Sequence, residues 1–345
     1  MTNGHGDDIY HYGKIETNFS SNIYNGFDHT KLFEHLASKL HCITNYPEPT
    51  PTRLEKRIAE AIGVAPQNVM ATNGATEAIY LVAQAFRDET SAIVQPTFAE
   101  YADACRINGH RIRNVSSLDE AFAQNGHAEA PKLVWLCNPN NPTGEVTDNN
   151  KIEELARRHN ETIFMVDESY LNYSSKRLVS LRQTSRLPNR LGLFSMTKDF
   201  GIPGLRLGYL TGSDTLLQRI NKLRMPWAVN QLAIEAGLYL LDHKGDYHFD
   251  ASALWREARR VGEKLQKIGI DVRPTDCNIL LCRLPIGDAH SLKEWLARER
   301  GMLIRDASNF EGLGHGHFRI AVQSAAENDK IVSALQEWLK NIEKQ

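Results

Sequence analysis

Between about residues 70 and 215 one pattern repeats: a short, wholly apolar run, then a stretch whose apolar positions recur every three or four residues. The runs "SAIVQP", "KLVWLC", "TIFMVD", "LGLFS" and "LGYLTG" are too short for helices and apolar on both faces, which predicts strands buried inside a sheet. The stretches "TEAIYLVAQAF" and "NKIEELARRH" carry helical spacing. Strand and helix in alternation predict an α/β fold, a large domain whose mostly parallel sheet is covered by helices on both faces. Further on, a long amphipathic stretch, "ALWREARRVGEKLQKIG", follows "NKLRMPWAVNQLAIEAGLYLLDH". The runs "NILLCRL", "MLIRD" and "HFRIAV" then interleave with helical "SLKEWLARERG" and "ENDKIVSALQEWLKNIEK", predicting a small C-terminal α/β domain. The boundaries read as an arm over 1–45 that returns to the small domain, a large domain over 46–240 and a small one over 241–345.

Composition narrows the class. The 345 residues are enough for two domains, and 41 % hydrophobic with 24 % charged residues is a globular balance. A formal charge of −2 gives no cationic field, so neither nucleic acid nor a membrane is expected as a partner. Apolar runs such as "TIFMV" are far shorter than a bilayer requires. The opening "MTNGHGDDIYHYG" lacks the basic and apolar regions of a signal peptide. Five cysteines with no CxxC pair read as reduced thiols in a cytoplasmic protein. "HGH" at 315–317 has no third ligand at suitable spacing, so no metal is expected.

Open parallel sheets bind ligands at the carboxyl ends of their strands, and four segments there carry chemistry. "NGATEAI" is a glycine turn opening a helix, where the N–H groups of Gly74, Ala75 and Thr76 can hold an anion or simply start the helix. "CNPNNPTGEV" fixes a stiff loop that can aim the Asn141 amide, or is only a turn. "VDESYLNY" places Asp167 at the end of an apolar strand with Tyr170 three residues later. A carboxylate there needs a cationic or N–H partner, unless it caps the next helix. "SMTKDFGIPGLRLG" sets Lys198 after Ser195 and Thr197 and before Arg206. An amine that captures an aldehyde requires a neighbourhood that holds the aldehyde and lowers the amine pKa. Ser195, Thr197, Arg206 and the 74–76 turn could hold a phosphate, Asp167 could keep a pyridine protonated, and Asn141 with Tyr170 could donate to a ring oxygen. Together they describe a site for pyridoxal 5′-phosphate.

With "PTFAEY" and "FRIAV", these motifs resemble the fold-type-I pyridoxal-phosphate enzymes, the aminotransferase class I/II superfamily, along nearly the whole chain. The resemblance implies the pyridoxal-phosphate-dependent transferase fold and makes Lys198 the covalent anchor of the cofactor and a catalytic residue with Asp167 and Tyr170. It implies that Gly74, Ala75, Thr76, Ser195, Thr197 and Arg206 hold the cofactor phosphate, that Asp167 pairs with the ring nitrogen, and that Asn141 and Tyr170 reach the ring oxygen. Phe98 of "PTFAEY" falls where the ring-stacking aromatic lies. Tyr46 of "NYPEP" resembles the tyrosine that reaches the neighbouring subunit's cofactor phosphate, which implies a homodimer with shared sites.

Arg319 of "HFRIAV" lies where the family binds the substrate α-carboxylate, a task suited to a guanidinium fork. Arg305, fourteen residues earlier, suggests a second anion on the substrate. Two branches use phosphorylated amino substrates, histidinol-phosphate aminotransferases and threonine-phosphate decarboxylases. The early "HGDDIY", then "TNFSSNIYNG" and "LIRDASNFEGL", resemble the decarboxylases, although Tyr-Asn stands at 24–25 where that pattern has Asn-Pro. That resemblance implies His5, Ser21 and Arg305 as phosphate contacts and decarboxylation of threonine phosphate in cobalamin side-chain synthesis. Amino transfer, from histidinol phosphate or another amino acid, is the alternative. A regulator joined to a DNA-binding module is a third possibility, against which the intact lysine and the lack of a basic stretch before residue 40 both count.

Overall fold

The computed structural model describes residues 6–123, 129–176 and 187–344. Seven short strands pair into one sheet: β1 (Val69–Thr72), β2 (Thr90–Val94), β3 (Arg111–Val115), β4 (Leu133–Cys137), β5 (Ile163–Asp167), β6 (Arg190–Ser195) and β7 (Gly208–Gly212). Their spatial order is β1-β7-β6-β5-β4-β2-β3. Neighbours from β3 through β6 are parallel, whereas β7 runs antiparallel to both β6 and β1. The reversal has a local cause: the link from β6 to β7 holds a helix of five residues, Met196–Phe200, too short to carry the chain back across the sheet. Two strands, β1 and β3, come from runs that the apolar pattern does not single out. β3, with the sequence RIRNV at the sheet edge, alternates charge with apolar residues.

Every residue of β4, β5 and β6 is buried, as befits strands covered on both faces. Helix Gly74–Ala85 packs one side with Ile79 and Val82 against Trp135, Met165 and Leu193. Helix Asn149–Arg158 covers the other with Ile152 and Leu155 against Val134, Phe164 and Val166.

The second, smaller sheet is antiparallel: β8 (Asp271–Val272), β9 (Ile279–Arg283), β10 (Arg305–Asp306) and β11 (His317–Ala321), in the order β10-β11-β9-β8. Its core joins Leu280, Phe318 and Ile320 to Leu335 and Trp338 of the last helix, Ala325–Ile342. The run "MLIRD", expected as one strand, divides at Ile304. Met302–Leu303 pairs in parallel with Thr17–Asn18, and Arg305–Asp306 turns to pair with β11.

The N-terminal segment therefore returns to the C-terminal part, with Phe19 buried in that core. Residues further along it go elsewhere: helix Thr30–Lys39 sets Leu32 and Leu36 into the cluster of Leu54, Ile58 and Leu240 beside the large sheet. The carboxyl ends of β1, β2, β4, β5 and β6 lie along one edge, and the segment Ser20–Ile23 crosses in front of it.

Candidate active site

A cavity of about 360 Å³ opens at that edge, at the small end of ligand sites. Three places bring anion-binding groups to its lining. Ala75 and Thr76 present the first turn of helix Gly74–Ala85, whose free N–H groups and dipole favour an anion. Ser195 closes β6, Thr197 follows it, and Arg206 arrives from the turn before β7. Gly74 lies behind the lining with φ +77°, and a Cβ there would stand 2.6 Å from Arg206 Nη2. Gly208 makes the same demand, since its Cβ would meet the Ala75 nitrogen at 2.7 Å. Both positions need glycine so that guanidinium, strand and helix start can converge. The Thr197 hydroxyl is buried with no hydrogen-bond partner, a donor aimed at something the protein itself does not supply.

Asp167 ends β5 at the cavity floor. Burial pushes its pKa up, against hydrogen bonds from Ser169 and Tyr101 and the charge of Lys198. A buried carboxylate in that balance is completed by a cation, and a protonated ring nitrogen is one. Phe98 lines the wall beside it. Tyr170 follows on the loop after β5; burial drives its pKa well up, so its phenol stays a neutral donor, and it accepts from Asn22 Nδ2 at 3.3 Å. Asn141 Oδ1 accepts from Arg319 Nη1 at 2.5 Å, which turns the amide donors away from the arginine.

Lys198 sits in the middle. Its Nζ donates to the Ser21 carbonyl at 2.7 Å, and its own carbonyl accepts from Tyr173 at 2.9 Å. Burial lowers its pKa from 10.5 to about 7, helped by the charges of Arg319 and Arg206. The amine is therefore half neutral near pH 7, which a nucleophile or base requires. Arg319, on β11, donates to the Ser20 carbonyl; burial lowers it to about 10, so it keeps its charge, and its Nε has no partner. Arg305 stands directly opposite Arg319 across the β10–β11 pair and lines the same cavity. Its two terminal nitrogens donate to the Asp306 carbonyl at 2.6 Å and to Asn309 Oδ1 at 2.8 Å.

The cavity thus collects Ala75, Thr76, Phe98, Asn141, Asp167, Tyr170, Ser195, Thr197, Lys198, Arg206, Ser21, Arg305 and Arg319, with Gly74 behind them. Tyr46 is elsewhere, 86 % exposed, its ring 5.4 Å from that of Trp227. His5 lies outside the described residues. Sequence reasoning missed Tyr101, whose hydroxyl donates to Asp167 Oδ2 at 2.6 Å. The signal was present: Tyr101 follows Phe98 by three residues in "PTFAEY". It also missed Asp7, Asn22 and the backbone carbonyls of Ser20 and Ser21, and no motif marks a carbonyl.

A lysine of lowered pKa, a buried acid facing it and an anion cradle at the carboxyl edge of a mostly parallel sheet define a pyridoxal-phosphate-dependent enzyme. More narrowly, the chain belongs to the aminotransferase class I and II family, whose model matches residues 14–335, and its cofactor is pyridoxal 5′-phosphate. The residues present fit that cofactor, since the unpartnered Thr197 hydroxyl and the buried Asp167 await the two ends of such a molecule. The chain is 34 % identical to the histidinol-phosphate aminotransferase of Caldanaerobacter subterraneus subsp. tengcongensis, over 85 % of this chain and 84 % of that protein. It is 32 % identical to the threonine-phosphate decarboxylase of Salmonella typhimurium, over 89 % and 86 %. The solved L-threonine-O-3-phosphate decarboxylase from Porphyromonas gingivalis superposes with a TM-score of 0.88 at 35 % identity, covering 94 % of this chain and 99 % of that one. Among the described residues no helix is long and apolar enough to cross a membrane.

Proposed function

We propose that the enzyme decarboxylates L-threonine O-3-phosphate, releasing CO₂ and leaving (R)-1-aminopropan-2-yl phosphate for cobalamin side-chain synthesis in the cytoplasm. The observation that carries this reading is the cross-strand pair of buried arginines, Arg305 and Arg319, on one wall of a small cavity. Two fixed guanidiniums at that spacing suit a short substrate with an anion at each end. The similarity to two decarboxylases supports it.

In this reading Lys198 anchors the cofactor. Ser195, Thr197, Arg206 and the N–H groups of Gly74, Ala75 and Thr76 hold its phosphate. Asp167 faces the ring nitrogen, Asn141 and Tyr170 the ring oxygen, and Phe98 the ring face. Arg319 takes the substrate carboxylate; Arg305, Ser21 and His5 take the substrate phosphate. When bound, pyridoxal phosphate supplies an aldehyde for the substrate amine and a cationic ring that draws electrons from Cα. Holding both anions decides which Cα bond is presented for cleavage. In decarboxylation the bond from Cα to the carboxylate carbon breaks, CO₂ leaves, and Lys198 Nζ returns a proton to Cα.

The working form is a homodimer in which Tyr46 reaches the partner's cofactor phosphate. Supporting this, Phe33, Leu40, Ile43, Tyr46, Met225 and Trp227 leave apolar surface exposed away from the cavity. A second reading, amino transfer from histidinol phosphate, is favoured by the 34 % identical relative and uses the same pocket, with Lys198 removing a proton from Cα instead. Incubation of the purified enzyme with carboxyl-labelled O-phospho-L-threonine separates the two. Labelled CO₂ without any added keto acid supports decarboxylation. Turnover only with 2-oxoglutarate, with no CO₂, decides for amino transfer.

A further inference from the structure

Asp167 is held by donors from the protein itself. Tyr101, in the first turn of helix Glu100–Ile107, is fully buried and donates its phenolic proton to Asp167 Oδ2 at 2.6 Å. The backbone N–H of Ser169 donates to Oδ1 at 2.9 Å. With Tyr101 and the Ser169 N–H on different oxygens the carboxylate has a single orientation. The phenol is itself braced: its ring stacks on Trp135 at 5.5 Å and 21°, and meets Phe98 edge-on at 5.8 Å. The Trp135 indole N–H is tied to Ser91 Oγ at 3.2 Å, and Ser91 Oγ lies 2.9 Å from His110 Nδ1.

We propose that Tyr101 is a positioning residue for Asp167, fixing the direction of its carboxylate and tempering how strongly it holds the proton on the cofactor ring nitrogen. This rests on the reading of Asp167 as the ring-nitrogen partner. A donor on an ionised carboxylate makes a strong, charge-assisted bond and lowers the carboxylate's proton affinity. The titratable and charged groups facing Asp167 are Tyr101 from helix Glu100–Ile107, Cys137 at the end of β4, Tyr170 beyond β5 and Lys198 beyond β6. Tyr101 is the one among them that donates directly to a carboxylate oxygen in the structure. Burial and the neighbouring Asp167 drive its own pKa far up, so it remains a donor throughout the working range.

The test uses the holoenzyme and the pH midpoint for protonation of the ring nitrogen of its bound cofactor, read from the nitrogen-15 chemical shift of ring-labelled pyridoxal phosphate. Tyr101→Phe removes one oxygen and keeps the ring stack. Without the donor the Asp167 charge is less screened, the protonated cofactor is favoured, and the midpoint rises by about 0.5 to 1 pH unit, a three- to tenfold gain in proton affinity. In an Asp167→Asn background the same substitution moves nothing. 3-Fluorotyrosine at position 101 alone, a stronger acid of nearly equal size, shifts the midpoint the other way and serves if Tyr101→Phe does not fold. An unmoved midpoint in Tyr101→Phe overturns the inference, as does an equal shift in the Asp167→Asn background or a rise with fluorotyrosine. If Asp167→Asn alone leaves the ring-nitrogen midpoint unchanged, the Asp167 reading itself falls and this inference with it.

Discussion

The sharpest consequence of the burial of Lys198 is a pH dependence of stability in the apoprotein. Folding lowers the lysine pKa from 10.5 to about 7. Between those values the unfolded chain holds a proton that the folded chain does not, so the folded state gains stability as pH rises. Below pH 7 both states are protonated, and the cost of burying the cation is present in full. The slope is about 1.4 kcal/mol per pH unit once the folded amine is neutral. Half-protonation at the lower end reduces the gain between about pH 7 and about pH 9 to about 2 kcal/mol. Lys198→Met keeps the chain length and removes the titration. Urea unfolding of both apoproteins, at one protein concentration and several pH values, measures the difference directly. The wild type should gain about 2 kcal/mol on the variant over that range, since titrations remote from the site are common to both proteins. Parallel curves would show that the amine is not depressed and would refute the electrostatic reasoning.

Three further outcomes follow from the same geometry. Asp167→Asn should keep the cofactor bound yet slow turnover by at least about 100-fold, measured as kcat on the saturated enzyme, because a neutral ring is a poor electron sink. Arg305→Ala should raise KM for O-phospho-L-threonine by about 10- to 100-fold and change cofactor affinity little, because Arg305 is the proposed contact of the substrate phosphate; an unchanged KM would remove Arg305 from the substrate site. Gly74→Ala should weaken cofactor binding by about tenfold in a fluorescence titration, because φ is +77° and the new Cβ would stand 2.6 Å from Arg206 Nη2.

Much of this site was readable before any coordinates. Lys198, Asp167 and Arg206 stand at fixed spacings beyond apolar runs, and a parallel sheet brings strand ends together regardless of how far apart they lie in sequence. Direction was harder to read. β7 has the same apolar composition as its neighbours and runs the other way, which only the shortness of its connection explains. The break of "MLIRD" at Ile304 depends on two different partner strands competing for one run. Pairing of Arg305 with Arg319 was suggested by residue type, but their cross-strand register appears only once β10 and β11 are laid side by side. Contacts made through the backbone, such as the Ser20 and Ser21 carbonyls on Arg319 and Lys198, leave no trace in side-chain identity. Tyr101 was visible as a letter and not as a partner, because the sequence does not reveal that its hydroxyl ends at Asp167.

The anchoring amine is the claim on which the rest depends, and hydride trapping examines it most directly. Holoenzyme treated with borohydride and digested should give one peptide bearing the reduced cofactor, with the added mass on Lys198 and none in Lys198→Ala. A label on another lysine, or an unlabelled Lys198 peptide from protein that still carries the cofactor, would contradict the account.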